Sequence, residues 1–206
     1  KIAVIIAKGT ILDGEQPAGE VGGDRLDLKL AEQILSAEQT VDLCFYEIDS
    51  DTLIGAILAA HNNGIQMRLI TDDKYLPEIQ ELLNSGVAVL SDSAGGIYIY
   101  KDMHNKFAVF DGEWIWTGSY NATESGTFGN ANNALLFRSE ETAAAYTAEF
   151  QEMWGSTTAT PNPTASRFHT GKEDNHLHAF ELDGYPLELY MSPSDGTKEA
   201  IMAVIA

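Results

Sequence analysis

A chain of 206 residues, 44% of them hydrophobic, is long enough to bury the core of one globular domain and to carry an appendage. Its 31 acidic and 12 basic residues give a net charge of −19, which disfavours a non-specific nucleic-acid binder, because such proteins use Lys and Arg to displace counterions from phosphate. A solvated acidic surface unrelated to the substrate is the other interpretation of this charge. The one cysteine, Cys44, excludes an internal disulfide and lies in an apolar run that predicts a buried, inert thiol.

The first half of the chain alternates between strand and helix patterns. Residues 1–7 form an apolar run typical of a buried strand, and residues 9–24, rich in Gly and acidic side chains, predict a loop. Apolar residues at helical spacing then predict a helix from Leu26 to near Ala37. The next predicted elements are a strand at 41–47, a helix that Asp49-Ser50-Asp51 caps and Asn63-Gly64 ends, a strand at 65–71, a helix at 76–84 and a strand at 87–90. This alternation indicates βα units with parallel strands.

After residue 90 the strand segments become short and closely spaced. They are predicted at 97–100, 104–110, 114–117 and 133–138, with a hairpin turn at Asp111-Gly112. A helix at 139–154 follows, with an inner stripe of Ala143, Tyr146, Phe150 and Trp154. The sequence therefore predicts an α/β fold, an α/β/α sandwich around a mixed, mostly parallel sheet, that occupies residues 1–154.

The last fifty residues have a different character. Residues 155–186 begin with a stretch rich in Thr, Ser, Pro and Gly and predict a linker or extended loop. Residues 187–191 are strand-like, and a helix that begins near Pro193 follows. Because this strand-then-helix order repeats the opening of the domain, we interpret residues 187–206 as the truncated start of a second repeat. The alternative is a C-terminal helix packed on the same domain.

The chemistry is concentrated between His104 and Asn121, which the sequence connects as H-x-K-x₄-D-x₆-G-S-x-N. A catalyst that cleaves a phosphodiester must supply a nucleophile, neutralise charge on the phosphate and protonate the leaving oxygen. A neutral His104 ring can attack phosphorus, and the Lys106 ammonium, on the same face of a strand, can bind a nonbridging oxygen. The Asn121 amide can donate to the same phosphate.

The small residues of the motif have a supporting part in this scheme. Gly118 and Ser119 allow the backbone to approach a phosphate closely, and the Ser119 hydroxyl can hydrogen-bond the phosphate or a histidine. A lone His-x-Lys occurs often by chance, whereas all six positions at fixed spacing on a strand-turn-strand form a specific pattern. The alternative is a surface histidine and lysine beside an ordinary Gly-Ser turn.

With these motif positions, the segment 26–154 resembles the phospholipase D superfamily of HKD-motif phosphodiesterases. The resemblance implies that His104 is the covalent nucleophile, or the general acid in some members, and that Lys106 and Asn121 bind phosphate. Asp111 falls in the hairpin turn, so we expect it to support the structure rather than to contact phosphate. In endonuclease-like members a glutamate orients the histidine; Asn132, eleven residues after Asn121, stands in that region here.

The resemblance also implies a second histidine, because the family active site combines two motifs across a pseudo-twofold axis. One imidazole cannot both attack the phosphorus and protonate the opposite side in an in-line displacement. Histidines 61, 169, 176 and 178 lack the Lys, Asp and Gly-Ser context. We therefore expect a second HKD half from a C-terminal domain or from a homodimer mate.

Metal sites and cofactors are not expected from the sequence. His176-x-His178 is a possible metal pair, but it follows an irregular segment and has no cysteine nearby. Asp72-Asp73 follows a predicted strand and is more typical of a helix cap than of a cation site.

The functional expectation is a metal-independent phosphodiesterase that forms a phosphohistidine, with a phospholipid favoured over nucleic acid as substrate because of the acidic charge. The alternatives are an endonuclease of the same superfamily and a non-catalytic phosphate-binding half-domain. No apolar stretch approaches the roughly 18 residues of a membrane span. The compartment stays open, and a soluble protein, secreted by a bacterium, is one interpretation of an opening without Met.

Overall fold

The computed structural model describes residues 10–13, 25–94 and 102–205, with the backbone alone for residues 10–13. The strands predicted at 1–7 and 97–100 lie outside these residues. The described strands are β1 (Thr10–Asp13), β2 (Thr40–Phe45), β3 (Gln66–Thr71), β4 (Ala88–Ser91), β5 (Lys106–Phe110), β6 (Trp114–Gly118), β7 (Asn133–Arg138), β8 (Ala179–Leu182) and β9 (Tyr185–Glu188). The helices are α1 (Leu26–Ser36), α2 (Asp51–Asn62), α3 (Gln80–Asn84), α4 (Glu124–Phe128), α5 (Glu140–Trp154) and α6 (Thr197–Ile205), with 3₁₀ segments at Asp73–Ile79 and His169–Gly171.

The main sheet has the strand order β1-β7-β6-β5-β2-β3-β4. The predicted mixed sheet is confirmed, but it is less parallel than expected: β2, β3 and β4 pair in parallel, whereas β1, β7, β6, β5 and β2 pair antiparallel. The reason lies in the connections. A helix separates each parallel strand from the next, while β5 and β6 are joined by a tight turn that only antiparallel strands permit.

Helices cover both faces of this sheet, which confirms the α/β/α sandwich. One face packs α1 and α2 against the sheet through side chains such as Leu30, Ile34, Leu53 and Ile57. The other face packs the predicted stripe of α5, namely Ala143, Tyr146, Phe150 and Trp154. Strand β2 serves both layers, since Leu43 joins the first cluster and its neighbour Cys44 the second. A strand buried on both faces has apolar residues at consecutive positions, as Leu43, Cys44 and Phe45 are here.

Cys44 is completely inaccessible to solvent at the centre of the sheet. Its Sγ lies 3.6 Å from the Sδ of Met103. Burial raises the pKa of this thiol, since the thiolate would lose its hydration. The expectation of a buried cysteine is confirmed, and its inertness stays a prediction.

A buried ion pair joins β2 to β3 beneath α5. Asp42 pairs in register with Arg68, and two guanidinium nitrogens donate to the two carboxylate oxygens at 2.6 Å each. The guanidinium also stacks over the Phe150 ring, 4.9 Å from its centroid, and donates to the Thr158 carbonyl. The planar fork of arginine matches a carboxylate in this bidentate geometry, so the pair locks the register of two neighbouring strands.

Three local predictions need correction. Residues 10–13, predicted as loop, form β1 on the edge of β7; four residues are too few to show a strand periodicity. The helix predicted at 76–84 begins as a 3₁₀ segment at Asp73 and becomes α-helical only at Gln80, because Pro77 lacks the N–H that an α-helical bond needs. The strand predicted at 104–110 begins at Lys106, so His104 precedes it.

The segment after α5 packs on the domain before it reaches the C-terminal elements. Phe168 is buried in the same cluster as α5. Strands β8 and β9 form a separate two-stranded hairpin, so the predicted strand at 187–191 begins and ends earlier, at Tyr185–Glu188. Helix α6 begins at Thr197, and its described residues are exposed or partly exposed, including Val204 at 73%. The assignment of residues 187–206 to a second repeat stays a prediction.

Candidate active site

The motif residues lie at one end of the central strands, where β2 and β6 end and β5 begins. Phe45 at the end of β2 pairs with Lys106 at the start of β5, and Phe107 pairs with Thr117 near the end of β6. The start of β5 therefore lies beside the ends of β2 and β6. An isolated bridge between Ile48 and Ala122 holds the loops after β2 and β6 together there. This end of the strands carries His104, Lys106, Ser119 and Asn121.

His104 lies in the two-residue approach to β5 and its imidazole is exposed. The ring makes an edge-to-face contact with Tyr46, with centroids 4.7 Å apart. Partial burial and the positive charge of Lys106 lower the pKa of His104, and the carboxylates of Asp102 and Asp72 oppose this shift. The imidazole is thus held neutral at physiological pH, the form in which a ring nitrogen can attack an electrophile.

Lys106 is half-buried beside the same tyrosine. Its Nζ lies 5.2 Å from the centroid of the Tyr46 ring and donates a hydrogen bond of 2.9 Å to the His104 carbonyl. Burial lowers the pKa of Lys106 to about 8, and the nearby Cys44 and Glu47 partly offset this effect. The ammonium is therefore a poorly solvated cation, which interacts more strongly with an anion than a fully hydrated one.

Gly118 and Ser119 form the exit of β6. A Cβ atom at Gly118, whose φ is +156°, would lie 2.3 Å from the Asn133 carbonyl oxygen, so only glycine fits against β7. The Ser119 hydroxyl accepts from the Asn133 N–H at 3.0 Å and donates to Asn132 Oδ1 at 3.1 Å. The predicted freedom of Ser119 to bond a phosphate or a histidine is thus partly used by the fold.

Asn132 contacts Ser119 and the backbone, not the imidazole of His104. Besides its bond to Ser119, its Nδ2 donates to the Gly126 carbonyl at 2.9 Å. Both ends of this amide have partners on the β6–β7 connection. Asn132 therefore positions Ser119, which corrects the expectation that it stands in for the histidine-orienting acid.

Asn121 lies three residues after Gly118 and is half-buried. Among the described residues, its buried Oδ1 has no hydrogen-bond partner, so this acceptor is not committed to the fold. The backbone beneath it is tightly packed, since a Cβ at Gly126 would lie 2.3 Å from the Asn121 carbonyl oxygen. Asn121 is thus held in place with an unpartnered acceptor, and the Nδ2 of the same amide is the atom that would donate to a phosphate oxygen.

Asp111 lies at the opposite end of β5 from His104. It occupies the predicted turn after β5 with a positive φ of 53°. Its carboxylate accepts hydrogen bonds of 2.8–2.9 Å from the N–H groups of Glu38, Gln39 and Thr40, which lead into β2. These contacts fasten the turn to the start of β2, and none of them involves the phosphate-binding candidates.

Several residues at the site had no signal in the motif. Tyr46 contacts both His104 and Lys106, and its hydroxyl accepts from Tyr75 at 3.1 Å. Asp72 caps the 3₁₀ segment through Lys74 N–H, as expected for a cap, and also accepts from the Met103 N–H. The position of Tyr46 at the end of a predicted strand was the one available hint, because side chains at strand ends often form sites.

A cavity of about 600 Å³ opens beside His104. Residues after α5 complete its wall, including Phe168, His169, Lys172 and Pro193. The His169 imidazole lies 3.3 Å from the Asp92 carboxylate. The segment predicted as a linker therefore shapes the surroundings of the catalytic candidate.

Comparison with known families identifies this arrangement. The model of the family described as "Cardiolipin synthase, PLD-like domain" matches residues 30–154, which include the whole motif and more than half of the chain. The chain belongs to this family. The PLD-like domain begins within α1 and ends with α5, at the boundary where the predicted domain ends.

Relatives of the PLD-like domain share a name. The mitochondrial cardiolipin hydrolase of Xenopus tropicalis is 35% identical over 125 residues, 59% of this chain and 57% of that protein. The protein of the same name from Canis lupus familiaris is 30% identical over 172 residues, 78% of this chain and 64% of its own length. The chain thus spans less than two thirds of the length of these relatives.

Solved structures agree with the fold. Nuc from Salmonella typhimurium, described as a phospholipase D family member, superposes with a TM-score of 0.59 at 20% identity and covers 72% of this chain and 96% of its own. NucT from Helicobacter pylori gives the same TM-score at 21% identity. Within the described ranges, no helix combines the length and the apolar character needed to cross a bilayer.

Proposed function

We propose that this protein is a metal-independent phosphodiesterase that acts on phospholipids through a phosphohistidine intermediate. The observation that carries the proposal is the juxtaposition of an imidazole with a lowered pKa and a half-buried ammonium, both against Tyr46. A neutral nucleophile beside a poorly hydrated cation suits attack on a phosphate anion.

The roles of the residues follow from their positions. A ring nitrogen of His104 attacks phosphorus, and the P–O bond to the leaving alcohol breaks on the opposite side. Lys106 and the Asn121 amide bind nonbridging oxygens and stabilise the charge of the pentacoordinate state. A histidine from a second HKD half, in cis or from a homodimer mate, protonates the leaving oxygen. It then deprotonates the water, or another alcohol, that releases the phosphoryl group from His104.

The substrate class rests on charge and on the relatives. A surface with a net charge of −19 disfavours long polyanions, which need basic residues for binding. The curated relatives are named cardiolipin hydrolases. We therefore assign an anionic phospholipid of the cardiolipin type to this site, ahead of nucleic acid.

The test traps the covalent intermediate. The full-length protein is mixed with cardiolipin-containing vesicles, quenched in base, and the peptide that contains His104 is analysed by mass spectrometry for a phosphoryl adduct. His104→Asn should abolish the adduct and lower turnover by at least about 1,000-fold, since it removes the nucleophile. His61→Asn, at the end of α2, is the matched control and should retain both.

Two further arms decide the remaining points. Turnover should persist in EDTA, and single-stranded DNA should be cleaved more slowly than the lipid. Full activity of His104→Asn, or turnover that requires an added metal at the phosphate, would refute the mechanism. Faster cleavage of DNA than of any phospholipid would retain the mechanism and replace the substrate.

A further inference from the structure

A cluster of two histidines and one aspartate lies outside the motif, in the segment after α5. His176 and His178 precede β8, and Asp195 lies seventeen residues after His178, in the turn before α6. One ligand atom from each residue lies within 4.8 Å of the others. The side chains of His176 and Asp195 are 3% and 1% exposed, so the cluster is buried on one side.

The hydrogen bonds of the two imidazoles define which nitrogen carries the proton. His176 Nδ1 lies 2.8 Å from the Leu177 carbonyl, and His178 Nδ1 lies 2.8 Å from the Leu189 carbonyl. Because a carbonyl oxygen only accepts, each Nδ1 carries a hydrogen, and in a neutral ring the lone pair is then on Nε2. At His178 this Nε2 faces Asp174 Oδ2 at 3.2 Å, so a metal ion at the site would take the place of a proton there. Proteins prepare metal-binding histidines in this way, with the far nitrogen donating to a backbone carbonyl.

The lone pair on His176 Nε2 points at another acceptor. It lies 3.1 Å from Asp195 Oδ2, yet among the described residues this buried nitrogen has no partner in hydrogen-bond geometry. Two buried acceptors at this distance repel unless a cation lies between them. Two ligands of a tetrahedral zinc ion, bound at about 2.0–2.1 Å, are separated by roughly 3.3 Å, which matches this contact.

The surrounding charges also favour a cation. The Met191 N–H, at 2.6 Å, and the Ser194 hydroxyl both donate to the Asp195 carboxylate and hold it in place. Glu149, 1% exposed, lies nearby, and Lys172 forms an ion pair with it. Two buried carboxyl groups, Asp195 and Glu149, thus share this region with one ammonium, that of Lys172. A cation bound here would offset the charge of the second carboxylate in a buried volume.

We propose that His176, His178 and Asp195 bind one zinc ion. Imidazole ligands favour a transition metal over magnesium or calcium, and two nitrogens with carboxylate oxygens suit tetrahedral zinc. Asp174 Oδ2 lies 3.2 Å from His178 Nε2 but does not belong to the group of ligand atoms within 4.8 Å of one another, so the three ligands leave one coordination position open. The two histidines alone did not predict the site, because the third ligand arrives only when the chain folds.

The position of the site gives the ion a structural part. It ties the residues before β8 to the turn before α6 and thereby clasps the β8–β9 hairpin. None of the three ligands lines the cavity beside His104, but Lys172, Ser192 and Pro193 do, and Lys172 donates to the Ser192 carbonyl at 2.8 Å. The ion would therefore hold one wall of that cavity without contact to the reacting phosphate.

The experiment measures metal binding directly on the full-length protein. After removal of metals with EDTA and dialysis, the protein is titrated with Co²⁺, followed by its visible d–d absorption, and then with Zn²⁺ in competition with a chromophoric chelator. We expect one Co²⁺ per chain, displacement by Zn²⁺, and a thermal midpoint raised by about 5–10 °C in saturating Zn²⁺.

Matched variants separate the site from other histidines. His178→Gln, at a side chain that is 27% exposed and so tolerant of change, should abolish Co²⁺ binding and the thermal shift. His176→Gln should do the same, and His61→Gln should keep both. Equal Co²⁺ uptake by His178→Gln and His61→Gln would overturn the proposal, as would the lack of stoichiometric binding in the parent. The cluster would then be an ion pair of a protonated His176. The turnover of His178→Gln, measured in EDTA, reports on the phosphodiesterase mechanism, whereas Co²⁺ binding reports on the metal site. The two proposals can therefore fail independently.

Discussion

At the scale of single residues, His104 and Lys106 must be in opposite protonation states for the proposed reaction. His104 attacks when neutral, and Lys106 binds phosphate when charged. Both states coexist only in the pH range between the pKa of His104 and that of Lys106. Burial lowers the pKa of Lys106 to about 8, which sets the upper limit of this range, and the pKa of His104 is also lowered, which moves the lower limit down.

The pH profile of kcat/KM is therefore expected to be bell-shaped. The acid limb should lie below the ordinary histidine pKa, since protonation of His104 removes the nucleophile. Activity should fall as pH rises through about 8, since Lys106 then loses its charge. The measurement is kcat/KM for a soluble phosphodiester across this range, because that ratio reports the groups of the free enzyme.

Lys106→Arg is the matched control for the alkaline limb. A guanidinium keeps its charge throughout the accessible pH range, so the decline near pH 8 should disappear in this variant, even if the maximum rate drops. An unchanged alkaline limb in Lys106→Arg would show that another group titrates there.

Gly118 is expected to be irreplaceable for packing. In Gly118→Ala the new methyl group would lie 2.3 Å from the Asn133 carbonyl oxygen, so β6 and β7 must separate. We expect the free energy of unfolding, measured by urea denaturation, to fall by about 1–3 kcal/mol, with a loss of activity as Ser119 moves.

Gly55 supplies the comparison. It lies inside α2, and a methyl group there would meet nothing within 4 Å. Gly55→Ala should therefore stabilise the protein by about 0.5–1 kcal/mol, because alanine loses less backbone entropy in a helix. Equal effects of the two substitutions would contradict the packing argument.

At the scale of elements, the Asp42–Arg68 pair is a buried, bidentate connection between β2 and β3. Arg68→Met leaves the Asp42 carboxylate buried without its partner, and burial already raises the pKa of that group. We expect a loss of about 3–5 kcal/mol in the free energy of unfolding, measured by urea denaturation.

The double variant Asp42→Leu with Arg68→Met tests the reason for this loss. It removes the charge along with its partner, so much of the stability should return. If the double variant is no more stable than Arg68→Met, the loss comes from the stacking of Arg68 on Phe150 and not from an unpaired carboxylate.

The elements with strong periodicity were predicted well from the sequence. Helices α1, α2 and α5 and strands β2, β3 and β7 are where their apolar patterns placed them, since burial of one face or of both faces dictates those patterns. The edge strand β1 and the 3₁₀ segment before α3 were missed. Their formation depends on a free strand edge and on a proline, neither of which leaves a periodic signal.

The site was predicted in part for a similar reason. A short motif in one hairpin determines its own geometry, so the sequence placed His104 and Lys106 together. Tyr46 and Asn132 depend on contacts between distant segments. Tyr46 reaches His104 only through the pairing of β2 with β5, and Asn132 turns to Ser119 through the pairing of β6 with β7. Pairings of this kind cannot be read from one sequence.

At the scale of the whole molecule, the charge of −19 should govern the encounter with anionic membranes. Added salt screens the repulsion between protein and lipid phosphates, so kcat/KM towards anionic vesicles should rise by about twofold or more between low and physiological ionic strength. Initial rates at subsaturating lipid measure this directly.

Zwitterionic vesicles that carry the same scissile lipid at low density provide the control, and their hydrolysis should change little with salt. A steep fall in rate with added salt on anionic vesicles would instead indicate a basic docking surface. It would remove the argument from charge that favours phospholipid over nucleic acid.

The solitary sulfhydryl in the middle of the sheet can report on the unfolding of this protein. Cys44 can meet an alkylating reagent only after β2 separates from β3 and β5, its neighbours on either side. Labelling in native buffer should thus proceed at the pace of global opening and not of local fraying. A cysteine introduced anywhere on the exterior would be modified selectively against that silent background, which makes site-specific attachment of a probe straightforward.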